Sequence, residues 1–244
     1  MHNLSVRQEK ILQCINQNEY CTIENLSALF SVTTQTIRRD INQLCTLGLA
    51  RRHHGGVGLP ITLSNRSFLS RQRTSQAEKQ QIAEAVARLI PDGSTIFLGI
   101  GTTIAFIAEK LLNHKELRVV TNNFEAAYTL SQYNNTEIWL PEGRIRSNDG
   151  DIVGESVTNL FSRYFADIGI IGCAAVREYP TGSDIGAPIK ETAMEYELRE
   201  ANVSQAILAN CQQKWLVANR SKWQRKANAK VAGLDRFDRV FTSD

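Results

Sequence analysis

Gln35, Arg38 and Arg39 sit inside SVTTQTIRRDINQL, residues 31 to 44, where the apolar residues otherwise recur at helical spacing. The chemistry such side chains offer is charge neutralisation and hydrogen bonding, not covalent reaction. A guanidinium neutralises a phosphate or reaches a guanine edge, a glutamine amide fits adenine, and a threonine methyl can touch that of thymine. At about 100° per residue, Ile37, Ile41 and Leu44 fall on one side of a helix, with Gln35, Arg38, Arg39 and Asn42 on the other. A solvated helix face has the same composition, so these residues alone leave that reading open.

The preceding residues supply the context. Thr33 can cap the helix, since its hydroxyl can accept from a first-turn amide, and Thr34 and Thr36 flank Gln35 at the leading end. Upstream, Ser5-Val6-Arg7-Gln8 has the capping-box form, and Ile11, Leu12 and Ile15 continue a first helix to about Asn16. Thr22 can cap a second helix with Ile23, Leu26, Leu29 and Phe30 as its apolar face, and Ser31-Val32 makes the turn. Two helices across a tight turn, closed by a preceding helix, form the helix-turn-helix plan, whose second helix enters the major groove. GLARRHHGGVGLP then predicts a helix end at Gly48, a strand from Leu49 to His54 and a hairpin turn at Gly55-Gly56. On such a wing Arg51, Arg52 and His53 would lie beside a DNA backbone, and Gly55 would let main-chain amides approach a phosphate. The plainer alternative is an ordinary basic hairpin; its position directly behind a helix-turn-helix favours DNA.

Bulk properties agree with this division. Net charge is +3, but residues 1–75 hold nine Lys/Arg against four Asp/Glu, while residues 76–244 hold 19 against 21. A basic excess confined to one end points to a nucleic acid or a membrane surface as partner. With 42% hydrophobic residues, 244 residues can form one large core or two smaller ones. No apolar run approaches the ~20 residues of a membrane span and no signal-peptide core opens the chain, so a cytoplasmic protein without a membrane partner is expected. Five cysteines without paired spacing, and adjacent His53 and His54 that point opposite ways on a strand, predict reduced thiols and neither metal nor cofactor.

From Leu59 to Thr74 the sequence mixes a proline with polar residues and shows no sustained period, which predicts a linker (59–74) between domains 1–58 and 75–244. A helix is expected from Ser75 to Leu89, with Ile82, Val86 and Leu89 on one side, and a turn at Pro91-Asp92-Gly93. STIFLGI, ELRVV, TEIWL, DIGIIG and KWLVA are short apolar runs separated mostly by helix-length segments, so the second domain is expected to be α/β with a mostly parallel sheet covered on both faces. Gly101-Thr102-Thr103 lies between the first of these strands and a helix, where amides and hydroxyls can cradle an anion. A tight turn with a capping threonine is the commoner meaning of such a tripeptide. Thr121-Asn122-Asn123 ends the next strand, and two polar loops on one sheet edge make a pocket.

SVTTQTIRRDINQL followed by RRHHGG resembles the DeoR-type bacterial transcription regulators, and the resemblance runs on through LLNHKELRVVTNN and RSNDGDIVGES. It covers essentially the whole chain and weakens in the last third. It implies an N-terminal winged helix-turn-helix domain and a C-terminal domain similar to sugar-phosphate isomerases. It also implies a phosphorylated sugar or polyol effector, held at the matching positions Gly101, Thr102, Thr103, Thr121, Asn122, Asn123, Gly143, Arg146 and Glu200, with Ser221 and Lys222 retained from a later motif. Four positions depart from the family pattern: Gly99 replaces an acid, Ser204 a lysine, Asn219 an aspartate and Glu142 a glycine. A dianionic phosphate feels such changes in the local field, which implies an altered effector or a site of much reduced affinity. The stretch VREYPTGSDIGAPIKETA is longer than in relatives and could reshape the pocket rim or an oligomer contact, and the end at RVFTSD leaves open a missing edge element.

The expected function is repression of a carbohydrate or polyol operon by binding double-stranded operator DNA, relieved by the effector. Paired half-sites about 34 Å apart imply a homodimer or homotetramer. A regulator with a degenerate, ligand-free second domain is the alternative. A sugar-phosphate isomerase is disfavoured, because Gly99, Ser204 and Asn219 replace the groups best suited to proton transfer.

Overall fold

The computed structural model describes residues 4–18, 20–53, 55–58, 68–133, 135–146, 149–180 and 189–243. The chain divides into two compact units, residues 1–64 with 69–75, and residues 65–68 with 76–244.

The first unit runs α1 (Val6–Asn18), β1 (Tyr20–Thr22), α2 (Ile23–Phe30), α3 (Thr34–Thr46), β2 (Arg51–His53) and β3 (Gly56–Gly58). The capping box forms as the sequence predicts: Ser5 N–H donates to Gln8 Oε1 at 3.0 Å and Gln8 N–H to Ser5 Oγ at 3.2 Å. Thr22 Oγ1 accepts from Asn25 N–H at 3.1 Å to start α2. Ile11, Ile15, Leu26, Ile37, Ile41, Leu44 and Val57 make the core. Leu29 does not join it and is 64% exposed. Ile23, Leu26 and Phe30 already fill a stripe, and Leu29 lies about 60° beyond Leu26 at its margin. The strand of the wing is shorter than Leu49–His54, and its hairpin partner β3 also pairs antiparallel with β1, a strand the sequence did not announce. His54 lies outside the described residues.

Of the expected linker, residues 59–67 lie outside the described residues, while Phe68–Arg73 forms α4, a helix rather than an irregular connector. The second unit continues α5 (Gln76–Ala87), β4 (Thr95–Leu98), α6 (Thr102–Lys110), β5 (Leu117–Thr121), α7 (Phe124–Ser131) and β6 (Thr136–Trp139). A short hairpin follows, β7 (Arg144–Arg146) and β8 (Asp151–Val153), then α8 (Glu155–Arg163) and β9 (Ala166–Ile171). The remainder is β10 (Ala175–Pro180), β11 (Ile189–Glu195), α9 (Leu198–Ala209), β12 (Cys211–Val217), β13 (Ala229–Gly233) and β14 (Arg239–Phe241).

All five apolar runs become strands of one sheet, ordered β14-β12-β9-β4-β5-β6, in which every neighbouring pair is parallel. Strand alternation divides its side chains between two cores. Ile96, Leu98, Val119 and Ile170 pack with Ile82, Ile104, Ile107 and Leu130 of α5, α6 and α7, whereas Phe97, Val120, Ile171 and Leu216 pack with Phe161 and Ile207 of α8 and α9. The segment RVF forms the edge strand β14, parallel to β12. Leu89 is exposed and Ile90 is buried in its place. Past Ala87 the hydrogen bonds tighten to three residues' span, Leu89 N–H to Val86 O and Ile90 N–H to Ala87 O, which shifts the phase of the turn.

A second, antiparallel sheet, β10-β11-β13, carries both ends of the stretch VREYPTGSDIGAPIKETA; residues 181–188 between them lie outside the described residues. No described helix is long and apolar enough to cross a membrane, and no described group of His, Cys, Asp or Glu could hold a metal.

Candidate functional site

Two regions contain the residues singled out in the sequence. The first is the outer side of α3. Ile37, Ile41 and Leu44 are fully buried, while Thr34, Gln35, Arg38, Arg39 and Asn42 are exposed, so the predicted division of the helix holds. Thr33 Oγ1 accepts from Thr36 N–H at 3.3 Å and lies 3.0 Å from the Thr36 hydroxyl. Thr33 and Thr36 are therefore engaged with each other in fixing the helix start, and the outward-reaching set begins at Thr34. Thr33→Ala should lower the stability of this unit by about 1 kcal/mol, measurable as faster amide hydrogen exchange in α3.

Asp40 was missed. It lies on the apolar stripe beside Ile37 and Ile41, and its carboxylate receives Arg7 Nε at 2.6 Å, tying α1 to α3. Gln8 and Gln43 join the same two helices through their side-chain amides. A charged residue at a buried helical phase was the available signal. Beyond the helix, Arg51 and Arg52 on β2 are exposed. Gly55 turns the hairpin at φ +76° and its carbonyl accepts from Ile23 N–H at 3.1 Å. His53 lies on β2 opposite Gly56.

The second region lies at the carboxyl ends of β4 and β5. Thr121 Oγ1 donates to Leu98 O at 2.7 Å and accepts from Asn123 N–H at 3.0 Å. Asn123 caps α7 through Ala126 N–H at 3.2 Å, while its Nδ2 donates to Gly101 O at 3.1 Å. Those two polar side chains fasten neighbouring loops together and are used up in doing so. Gly101 starts α6 at φ +114°, with Thr102 buried and Thr103 partly exposed behind it. Gly143 sits at φ +152°, where a Cβ would come within 2.5 Å of Val153 O, so its role is to let the β7–β8 hairpin close.

Arg146 differs most from expectation. Its Nε and Nη2 reach the two carboxylate oxygens of Asp151 at 2.8 and 2.7 Å, Nη2 also reaches Glu200 at 2.7 Å, and Nη1 lies 3.2 Å from Asp149 and 3.3 Å from Glu197. Burial works against its charge, but the hydrogen bonds it donates to Asp151 and Glu200, together with the charges of Asp151 and Asp149, outweigh burial and hold the guanidinium above its usual range. Burial pushes the Asp151 and Glu200 carboxyls up, with Arg146 opposing. The expected anion ligand is thus a structural hub with its donors already taken by carboxylates.

Beside the hub lies a cavity of about 560 Å³, bounded by the β7–β8 hairpin, α8 and α9. Of the expected effector residues, Asn122 and Glu200 line it; Gly101, Thr102, Thr103, Thr121, Asn123, Gly143, Arg146 and Lys222 do not. Lys222 belongs to a 3-10 turn after β12, and its charge acts on Cys173, whose thiol burial pushes up to about 12. The cavity also brings in Arg144 and Arg199, which the sequence reading passed over although each adjoins a chosen position. At the departures from the family pattern, a Cβ on Gly99 would meet Ile170 O at 3.3 Å, and buried Asn219 accepts the Ser221 hydroxyl at 3.2 Å.

Comparison with known proteins gives two family matches: residues 7–62 match the DeoR-like helix-turn-helix domain and residues 74–244 the DeoR C terminal sensor domain. The chain is 37% identical to the glycerol-3-phosphate regulon repressor of Haemophilus influenzae over 98% of its own length and 89% of that protein. It is likewise 37% identical to the HTH-type transcriptional repressor CsqR of Escherichia coli, over 98% of this chain and 87% of that one. Among solved structures, ribose 5-phosphate isomerase A of Methanocaldococcus jannaschii aligns at 17% identity and a TM-score of 0.43, covering 62% of this chain and 55% of the other.

Proposed function

The chain belongs to the DeoR family, and from that premise we propose that it is a DNA-binding transcriptional repressor of a carbohydrate or polyol operon, released from its operator by a phosphorylated sugar or polyol. The observation that carries this reading is the outer row of α3: Gln35, Arg38 and Arg39 stand exposed on a helix whose other side is sealed into a core, with Arg51 and Arg52 on the wing behind it. Cations in that arrangement neutralise phosphates, and amide and guanidinium groups at the leading end of a groove-bound helix meet base edges.

The second unit supplies control through linkage. An effector that prefers the DNA-incompetent state weakens operator binding by its differential affinity, with a coupling of typically ~1–3 kcal/mol. Reading two half-sites one helical turn apart requires two copies of the reading head, which makes the working form a homodimer or a larger even assembly. The glycerol-3-phosphate regulon repressor of Haemophilus influenzae is named for a metabolic regulon, and the same class of control is assigned here.

The test uses the purified full chain on fragments of genomic DNA. Selective retention that falls steeply with salt, and release by one or more sugar or polyol phosphates, is the expected result. Absence of retention at low salt by a chain that is folded would overturn the regulator reading.

A further inference from the structure

The cavity beside Arg146 carries more information than its volume, because its lining is chemically graded. Asn122 and Glu200 are 2% and 4% exposed. Each holds one polar oxygen without any partner: Asn122 Oδ1, whose Nδ2 is spent on Ile152 O at 3.2 Å, and Glu200 Oε2, whose Oε1 is spent on Arg146. Both residues line the cavity. An amide oxygen and an ionised carboxylate oxygen accept and do not donate, so what satisfies them brings O–H or N–H groups. An ionised phosphate placed there would set oxygen against oxygen. The cavity's cations lie elsewhere in it: Arg144 and Arg199 are exposed; Arg144 has no ion-pair partner among the described residues, and Arg199 is paired through Nε with Glu197, a pair that leaves its other N–H groups available.

We propose that this cavity takes a polyhydroxylated anion with its hydroxyls inward, donating to Asn122 Oδ1 and Glu200 Oε2, and its anionic group outward on Arg144 and Arg199. Arg146 is excluded from that role because four carboxylates surround its one charge, leaving the hub net negative. The volume suits a ligand of sugar size, since small-molecule sites run from ~300 to 1,000 Å³. Water can occupy the two oxygens when the cavity has no ligand, and a ligand hydroxyl at the same position replaces its hydrogen bonds. The inference rests on the proposal that this domain senses a phosphorylated sugar or polyol, and adds which end of that molecule each residue recognises.

The experiment is calorimetric titration of the full-length protein with glycerol 3-phosphate, ribose 5-phosphate, fructose 6-phosphate and sorbitol 6-phosphate. The tightest of these is then repeated with its monodeoxy analogues, with inorganic phosphate, and with an Arg144→Ala/Arg199→Ala variant. Both arginines are exposed, so the variant keeps its fold, and Arg88→Ala, in the turn that follows α5, serves as a control for loss of surface charge. Expected are a tenfold or greater loss of affinity in the double variant, none in the control, and a similar loss when the inward hydroxyl is removed from the ligand. Equal affinity in the double variant, or for every deoxy analogue, overturns the inference while leaving the sensing reading intact, because a ligand still binds. If no compound in the panel binds at millimolar concentration, both fall.

Discussion

Arg146→Ala is expected to destabilise the C-terminal unit by about 3–5 kcal/mol in urea denaturation near pH 8. The substitution leaves Asp151 and Glu200 buried, each having lost its hydrogen-bonded counter-charge, with Asp149 beside them. Burial already lifts the Asp151 and Glu200 carboxyls, and removing the opposing guanidinium lifts them further. The sign of the pH effect follows. Carboxyls whose folded pKa exceeds the unfolded value hold protons that the unfolded chain has released, so the variant's stability falls as pH rises from the ordinary carboxylate range through the raised folded values. The defect should therefore shrink markedly on going from pH 8 to pH 5. Arg146→Lys keeps the charge but not the paired contacts to Asp151, and should fall between wild type and alanine. A residue whose only duty was to bind an effector would lower ligand affinity and leave unfolding almost unchanged. A loss below about 1 kcal/mol at pH 8 would thus return Arg146 to the ligand role suggested by the family pattern.

The second large effect concerns DNA. Arg38→Ala/Arg39→Ala should weaken operator binding about a hundredfold or more, since each such contact is worth ~1–3 kcal/mol when it reads a base. If a side chain neutralises a phosphate instead, its removal lowers the slope of log affinity against log salt by about one. Both arginines are exposed, so thermal unfolding should remain as in wild type. Single variants then sort the two roles: a base-reading arginine relaxes preference at one position, and a phosphate-binding one weakens all sequences alike. An operator affinity unchanged by the double substitution would move the reading head off α3.

The legible parts of this protein are those where a physical period forces the structure. The stripe Ile37, Ile41, Leu44 and the five apolar strand runs could be placed because burial on one or two faces leaves a regular trace. The misses have equally definite causes. Leu29 and Leu89 share the apolar character of their neighbours, and only the position of the helix margin or end decides that they face water. β1 and β14 are three residues long, too short to show alternation, and exist because a neighbouring edge is available to them. β11 reads as IKETAME, polar over its first half because that half is exposed, so nothing in composition marks it as a strand.

At the second site the limit was different. Residue type and motif position identified Asn122 and Glu200, which do line the cavity, and also Arg146, Thr121 and Asn123, whose polar groups are consumed internally. A one-dimensional pattern records which groups are present. Whether a donor is already spoken for depends on carboxylates three, five, 51 and 54 residues away, and only the folded geometry brings those together.

The brace between Arg7 and Asp40 has an evolutionary corollary. It ties α1 to the concealed side of α3, so substitutions among the outward residues leave the brace in place. Thr34, Gln35, Arg38, Arg39 and Asn42 are therefore free to vary without loss of folding competence. After gene duplication, a handful of substitutions among them would be enough to redirect a copy to new promoters.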